Sequence, residues 1–276
     1  MPHVETERTP AVAGRFYPSD REELAREVAT FLGARPDGRP TAEPPRPALG
    51  LVAPHAGYVF SGAVAGATYA RVAVPDRVIV LGPNHTGDGR RESAWPGGSW
   101  RTPLGLVPLD EELTQELVDA GAGVPDRAAH RREHSLEVQL PFLQLRQPRV
   151  RIAALCLGPL SWERCEELGR TIGEVARRRG ALVVASSDMS HYLPAREARR
   201  RDQLALERIL ALDPRGLHEV VEREDVSMCG YVPATVMLVA ALLEGAREAE
   251  LVRYAHSGEV TGDDRSVVGY AGVVVS

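Results

Sequence analysis

The sequence predicts an α/β fold, one domain spanning residues 1–276. Short, nearly unbroken apolar runs at residues 49–53, 77–81, 151–157 and 181–185 have the length and character of strands covered on both faces. Segments of helical period lie between them, so strands and helices alternate. No internal repeat or low-complexity stretch interrupts the pattern.

In chain order, Ser19 or Asp20 is placed to cap a helix reaching about Leu32, with Glu22 and Glu23 in its first turn. Arg35 to Pro47 is rich in proline and polar residues and reads as a surface connector. The strand at 49–53 leads to a helix from about Ser61 to Ala70, then to the strand at 77–81. Gly82 to Gly105 has many glycines and prolines and no clear period, which predicts a long loop, often a functional feature. Asp110 caps a helix to about Ala120. A further helix is expected over His134–Leu145, with Pro141 bending it or marking a new start. Arg151–Leu157 is a strand, Ser161 opens a long helix to about Arg179, and Ala181–Ala185 is the next strand. Helices follow over about Ala195–Leu212, Pro214–Glu222 and Pro233–Glu244, the last with proline in its first turn. Leu251–His256 and Val267–Val275 close the chain as strands.

Composition excludes several functions. A net charge of -5 gives no electrostatic footprint for nucleic acid. The clusters Arg177–Arg179 and Arg199–Arg201 fall at helix ends or faces and read as solvated. Lysine is absent, so Schiff-base chemistry and a phosphate-binding P-loop are excluded. The 3 cysteines are widely spaced and form no CxxC pair or disulfide framework. Met1 to Gly14 is charged and broken by proline, unlike a signal peptide, and no run of ~18 apolar residues occurs. A cytoplasmic protein with no membrane span is expected. GxSxG, HExxH, GxGxxG and EF-hand patterns are all missing.

The candidate chemistry sits where strands end. His55 follows the run at 49–53, His85 follows the run at 77–81, and Asp188 and His191 follow the run at 181–185. Ligands in α/β sheets bind beyond the carboxyl ends of strands. Neutral imidazole is the commonest transition-metal ligand. Asp188 could ligate a metal or orient a ligand histidine, and His191 could serve as a general base. A helical turn there would place the two on one face. Cys229 lies just ahead of the 233–244 helix, where a helix N-terminus favours thiolate, itself a strong metal ligand. Cys156 reads as core and Cys165 as incidental. His134 and Glu137, opening the expected 134–145 helix, would point in nearby directions. Asn84, beside His85, is the only asparagine in the chain.

Taken together, these segments resemble the Memo-like family, called AmmeMemoRadiSam system protein B in microbes. The matching pieces are Arg8–Tyr17, Ala53–Tyr58, Leu81–His85, Glu133–Glu137, Ser186–His191 and Cys229-Gly230, in the family's order and spanning nearly the whole chain. The resemblance implies a central mixed sheet flanked by helices, similar to class III extradiol dioxygenases, with a metal site at its rim. It implies His55, His85 and Cys229 as ligands of iron or copper, with Asp188 and His191 beside them. Those dioxygenases use two histidines and a glutamate on iron. Cys229 here replaces the carboxylate with a softer, oxidisable thiolate that also suits zinc, so ring cleavage does not carry over. The family's name points to a functional link with radical-SAM proteins.

Three functions follow as expectations. The first is a metal-dependent redox enzyme acting on a small molecule, with Asp188, His191 and His134 orienting ligands and moving protons. The second is a non-catalytic adaptor or carrier that uses the same pocket for a metal, metabolite or phosphopeptide. The third is zinc-assisted hydrolysis.

Overall fold

The computed structural model describes residues 7–33 and 44–276. Most of the expected connector at Arg35–Pro47 lies outside the described residues.

Four parallel strands form the middle of one large sheet. They are Gly50–Ala53, Leu182–Ser186, Arg77–Pro83 and Arg151–Leu157, in that spatial order. Antiparallel strands flank them: Val267–Val275 beside Gly50–Ala53, and Glu92–Ala94 beside Arg151–Leu157. Ala249–His256 and His191–Leu193 both pair with Val267–Val275, and Val124–Pro125 completes the far edge. The sheet is therefore mixed, as expected.

Alternation along the middle strands fills two cores. Val52, Ile79, Leu81, Val183 and Ala185 meet Leu168 and Ile172 of the helix Trp162–Arg179 and Val236 and Leu238 of the helix Tyr231–Glu244. Leu51, Val78, Val80 and Val184 meet Leu24 and Val28 of the helix Arg21–Phe31 and Tyr69 of the helix Tyr58–Ala70. Burying each of the Val, Leu and Ile side chains among them stabilises the fold by about 1.5–3 kcal/mol. Helix starts follow the expected caps. Asp20, Asp110 and Ser161 accept from the backbone N–H of Glu23, Leu113 and Arg164.

Two expectations are corrected. Gly82–Gly105 is not a featureless loop. It contains Glu92–Ala94 and the strand Ser99–Thr102, which pairs with Gly105–Pro108 and, in parallel, with Glu7–Arg8. Trp95 and Trp100 are buried there, and that burial orders the segment. The helix expected over His134–Leu145 is also broken. The Glu133 carboxylate accepts from the backbone N–H groups of His134 and Ser135, and residues 135–136 form a turn. A 3-10 turn at Glu137–Gln139 follows, and the α-helix spans only Leu140–Arg146, with Pro141 in its first turn.

Glu244 ends the helix Tyr231–Glu244, where the macrodipole disfavours negative charge. Its Oε1 is buried without a hydrogen-bond partner. Burial pushes its carboxyl up to about 7, against the opposing charge of Arg177. A carboxyl raised in the folded state contributes stability fully below its ordinary pKa and loses it as pH rises through about 7. Glu244→Gln is therefore expected to raise the melting midpoint at about pH 8 and to change it little at about pH 5. Thermal melts at the two pH values check this, and an equal shift at both contradicts it.

Candidate metal centre

Register brings the strand ends together. Ala53 pairs with Ser186, and Leu81 pairs with Ala185. Pro54-His55, Ser187-Asp188 and the turn leading to His85 therefore leave the sheet at one rim. Cys229 arrives from the opposite side, one residue before Gly230, the N-cap of the helix Tyr231–Glu244. Gly230 packs against Ser186 O and Ser187, where a Cβ would collide. Its lack of a side chain lets the cysteine reach the rim.

The imidazoles of His55 and His85 and the sulfur of Cys229 converge. One ligand atom from each lies within 4.8 Å of the others. His55 Nε2 is 3.2 Å from Cys229 Sγ, and the His55 and His85 ring centroids are 5.1 Å apart. Donors sharing an ion at about 2.0–2.3 Å stand roughly 3–4.5 Å apart, so the spacing suits a single ion. Asp188 ties two of the three in place. Its Oδ1 accepts from the backbone N–H of His55 at 2.7 Å, and its own N–H donates to Cys229 Sγ at 3.4 Å.

His85 is oriented by a residue the sequence reading left without a role. Fully buried Glu133 accepts from His85 Nδ1 at 2.9 Å and from His85 N at 2.7 Å, besides the N–H groups of His134 and Ser135. Burial opposes its ionisation, but the hydrogen bond and charge of His85 and the Ser135 N–H pull its carboxyl down to about 2. The acceptor-only carboxylate holds the proton on Nδ1 and leaves Nε2 free to act as a ligand, an arrangement common behind metal-bound histidines. Burial likewise opposes charge on His85, but Glu133 outweighs it and raises the imidazole pKa.

Burial disfavours charge on the other two groups. Burial, with the neighbouring His134 and His85, holds His55 well below the usual imidazole range. Burial and the Asp188 charge push the Cys229 thiol up, which corrects the expectation of a thiolate favoured by the helix N-terminus. Burial also raises Asp188 to about 6. A cation held by these three groups would supply the missing positive field and favour loss of the thiol proton.

His85, Glu133 and His134 form a second group of ligand-type atoms. Glu133 already accepts four hydrogen bonds, and the His85 and His134 rings stack at 4.7 Å and 19°, so they face each other rather than a shared ion. His134 packs edge-on against Phe16 at 4.8 Å and lies 5.4 Å from His55. Glu137, expected near it, turns away to pair with buried Arg8. Asp188 and His191 do not share a helical face. The chain between them has no regular secondary structure, and His191 begins the strand His191–Leu193. His191 Nδ1 lies 2.9 Å from Ser227 O, which can only accept, so its Nε2 carries the lone pair. Cys156 is buried in its strand as expected, and Cys165 is buried under its helix.

Among the described residues, no helix is long and apolar enough to cross a membrane. A family model described as Memo-like protein matches residues 8–274. A MEMO1 family protein of Methanopyrus kandleri is 45% identical, covering 97% of this chain and 98% of its own. One of Aquifex aeolicus is 42% identical over 97% and 98%. A solved structure of an uncharacterized protein from Escherichia coli K12 shares the fold, with a TM-score of 0.57 at 16% identity, covering 82% of this chain and 99% of that one. With this match running nearly end to end, the chain belongs to the Memo-like protein family.

Proposed function

We propose that this protein is a metal-dependent redox enzyme that holds iron or copper through His55 Nε2, His85 Nε2 and Cys229 Sγ. The observation that carries the reading is the convergence of these three donors from distant parts of the chain to within 4.8 Å of one another. Two imidazoles and a sulfur suit copper, thiolate-ligated iron or zinc. Iron or copper there would supply electron exchange and Lewis-acid polarisation. Asp188 fixes the spacing of His55 and Cys229, and Glu133 fixes the ring of His85. His191 Nε2, its partner nitrogen occupied by Ser227 O, is placed to accept a proton at the rim. Burial, with Glu133 opposing, lowers the His134 pKa and so favours the neutral form of this second imidazole.

The test is aerobic turnover of catechols and other reductants by iron- or copper-loaded protein, beside His55→Ala and Cys229→Ser. Turnover by the parent and its loss in both variants are expected. Equal rates in all three reject the reading. Hydrolysis by zinc-loaded protein under strict anaerobiosis would replace it with metal-assisted hydrolysis. Partner binding retained in the ligand variants, without turnover in the parent, would replace it with an adaptor role.

A further inference from the structure

A chain of buried groups behind His55 has only one consistent arrangement of protons. Tyr69, Gln139, Ser135 and Ser186 are all fully buried. One end of the Gln139 amide lies 3.0 Å from Pro54 O, a carbonyl that can only accept. That end is therefore the nitrogen. The other end, the oxygen, accepts from Tyr69 OH at 3.0 Å. The second Gln139 N–H points at Ser186 Oγ, 2.8 Å away. Ser186 has a single hydroxyl proton, and Ser135 O, another carbonyl, takes it at 2.6 Å. All that Ser186 can then offer His55 Nδ1, at 2.9 Å, is a lone pair.

We propose that Ser186, backed by Gln139, is a positioning residue that fixes the His55 proton on Nδ1 and so presents a bare Nε2 toward Cys229 and the ion. The assignment of Nε2 to an ion rests on the metal-site reading above, whereas the tautomer rests only on the hydrogen-bond chain. Two carbonyls, Pro54 O and Ser135 O, set its direction, and neither can reverse it. Without the Ser186 hydroxyl, His55 Nδ1 loses its acceptor. The ring would then gain by moving its proton to Nε2, where Cys229 Sγ lies 3.2 Å away. That tautomer cannot ligate through Nε2.

Nitrogen-15 NMR of the histidine rings in metal-free protein reads the tautomer directly. His55 in the parent protein is expected as the Nδ1–H form, and an Nε2–H form there overturns the proposal without any variant. Ser186→Ala is expected to shift His55 toward Nε2–H and to weaken zinc binding, measured with the metal alone, by about 10–100-fold. Ser186→Thr keeps the hydroxyl on a strand residue and is expected to restore both. A folded Ser186→Ala protein with the parent tautomer and parent zinc affinity overturns the proposal. If the parent binds no zinc, iron or copper, the metal-site reading fails, and the two NMR readouts still decide the tautomer.

Discussion

His85→Ala is expected to abolish stoichiometric metal binding, and Glu133→Gln to weaken it by about 10–100-fold. The two effects differ because the first removes a donor and the second removes only its support. Glu133 is fully buried and accepts from His85 Nδ1, His85 N, His134 N and Ser135 N. A glutamine keeps one acceptor oxygen and turns an NH2 group toward N–H donors. The ring of His85 then loses both its fixed proton and its fixed rotation. Competition titration with zinc across the parent and both variants measures this. Equal affinity in Glu133→Gln and parent would show that the carboxylate does not orient the ligand.

Glu137→Ala is expected to cost about 3–5 kcal/mol of stability, because it strands a buried charge. Glu137 is fully buried. Its oxygens accept from Arg8 Nη1 at 2.6 Å, Tyr17 OH at 2.6 Å, Ala11 N at 2.8 Å and Val12 N at 3.0 Å. Arg8 is 2% exposed, lies 4.2 Å over the Trp100 ring and donates to His130 O and Glu133 O. The pair thus fastens residues 8–17 to the segment carrying Glu133 and His134. Typical domains are stable by only ~5–15 kcal/mol, so this loss is a large share of the total. Adding Arg8→Met to Glu137→Ala removes the stranded cation and is expected to recover part of the loss. Urea unfolding of the parent, single and double variants checks both statements. A single-variant loss under ~1 kcal/mol would contradict the claim of a buried, fully committed pair.

Much of the fold is written locally. Arg151–Leu157 and Val267–Val275 form strands with the boundaries expected from their short apolar runs. Asp20, Asp110 and Ser161 cap helices because their signal lies within three residues of the group they bind. The 82–105 segment was not legible because its order comes from a distance. Ser99 and Trp100 pair with Glu7 and Arg8, far away in the chain. The centre divides the same way. His55 and His85 were legible because each follows a buried strand, and a strand's end is a local fact. Glu133 was not, because its partner His85 lies 48 residues away and only the fold shows that they meet. The helix expected from His134 starts only at Leu140, after a 3-10 turn at Glu137–Gln139, because Glu133 and Glu137 are tied to His85 and Arg8, partners distant in the chain. A helical turn between Asp188 and His191 would have placed the two on one face. No helix forms there, and His191 instead pairs antiparallel with Val268.

Cobalt(II) titration of the metal-free protein tests the central claim most directly, because a thiolate bound to cobalt gives a near-ultraviolet charge-transfer band that imidazole alone does not. The account predicts one ion per chain with that band, the band lost in Cys229→Ser, and the bound ion lost in His55→Ala. Cobalt bound without the band in the parent protein, or the same band in all three, would contradict it.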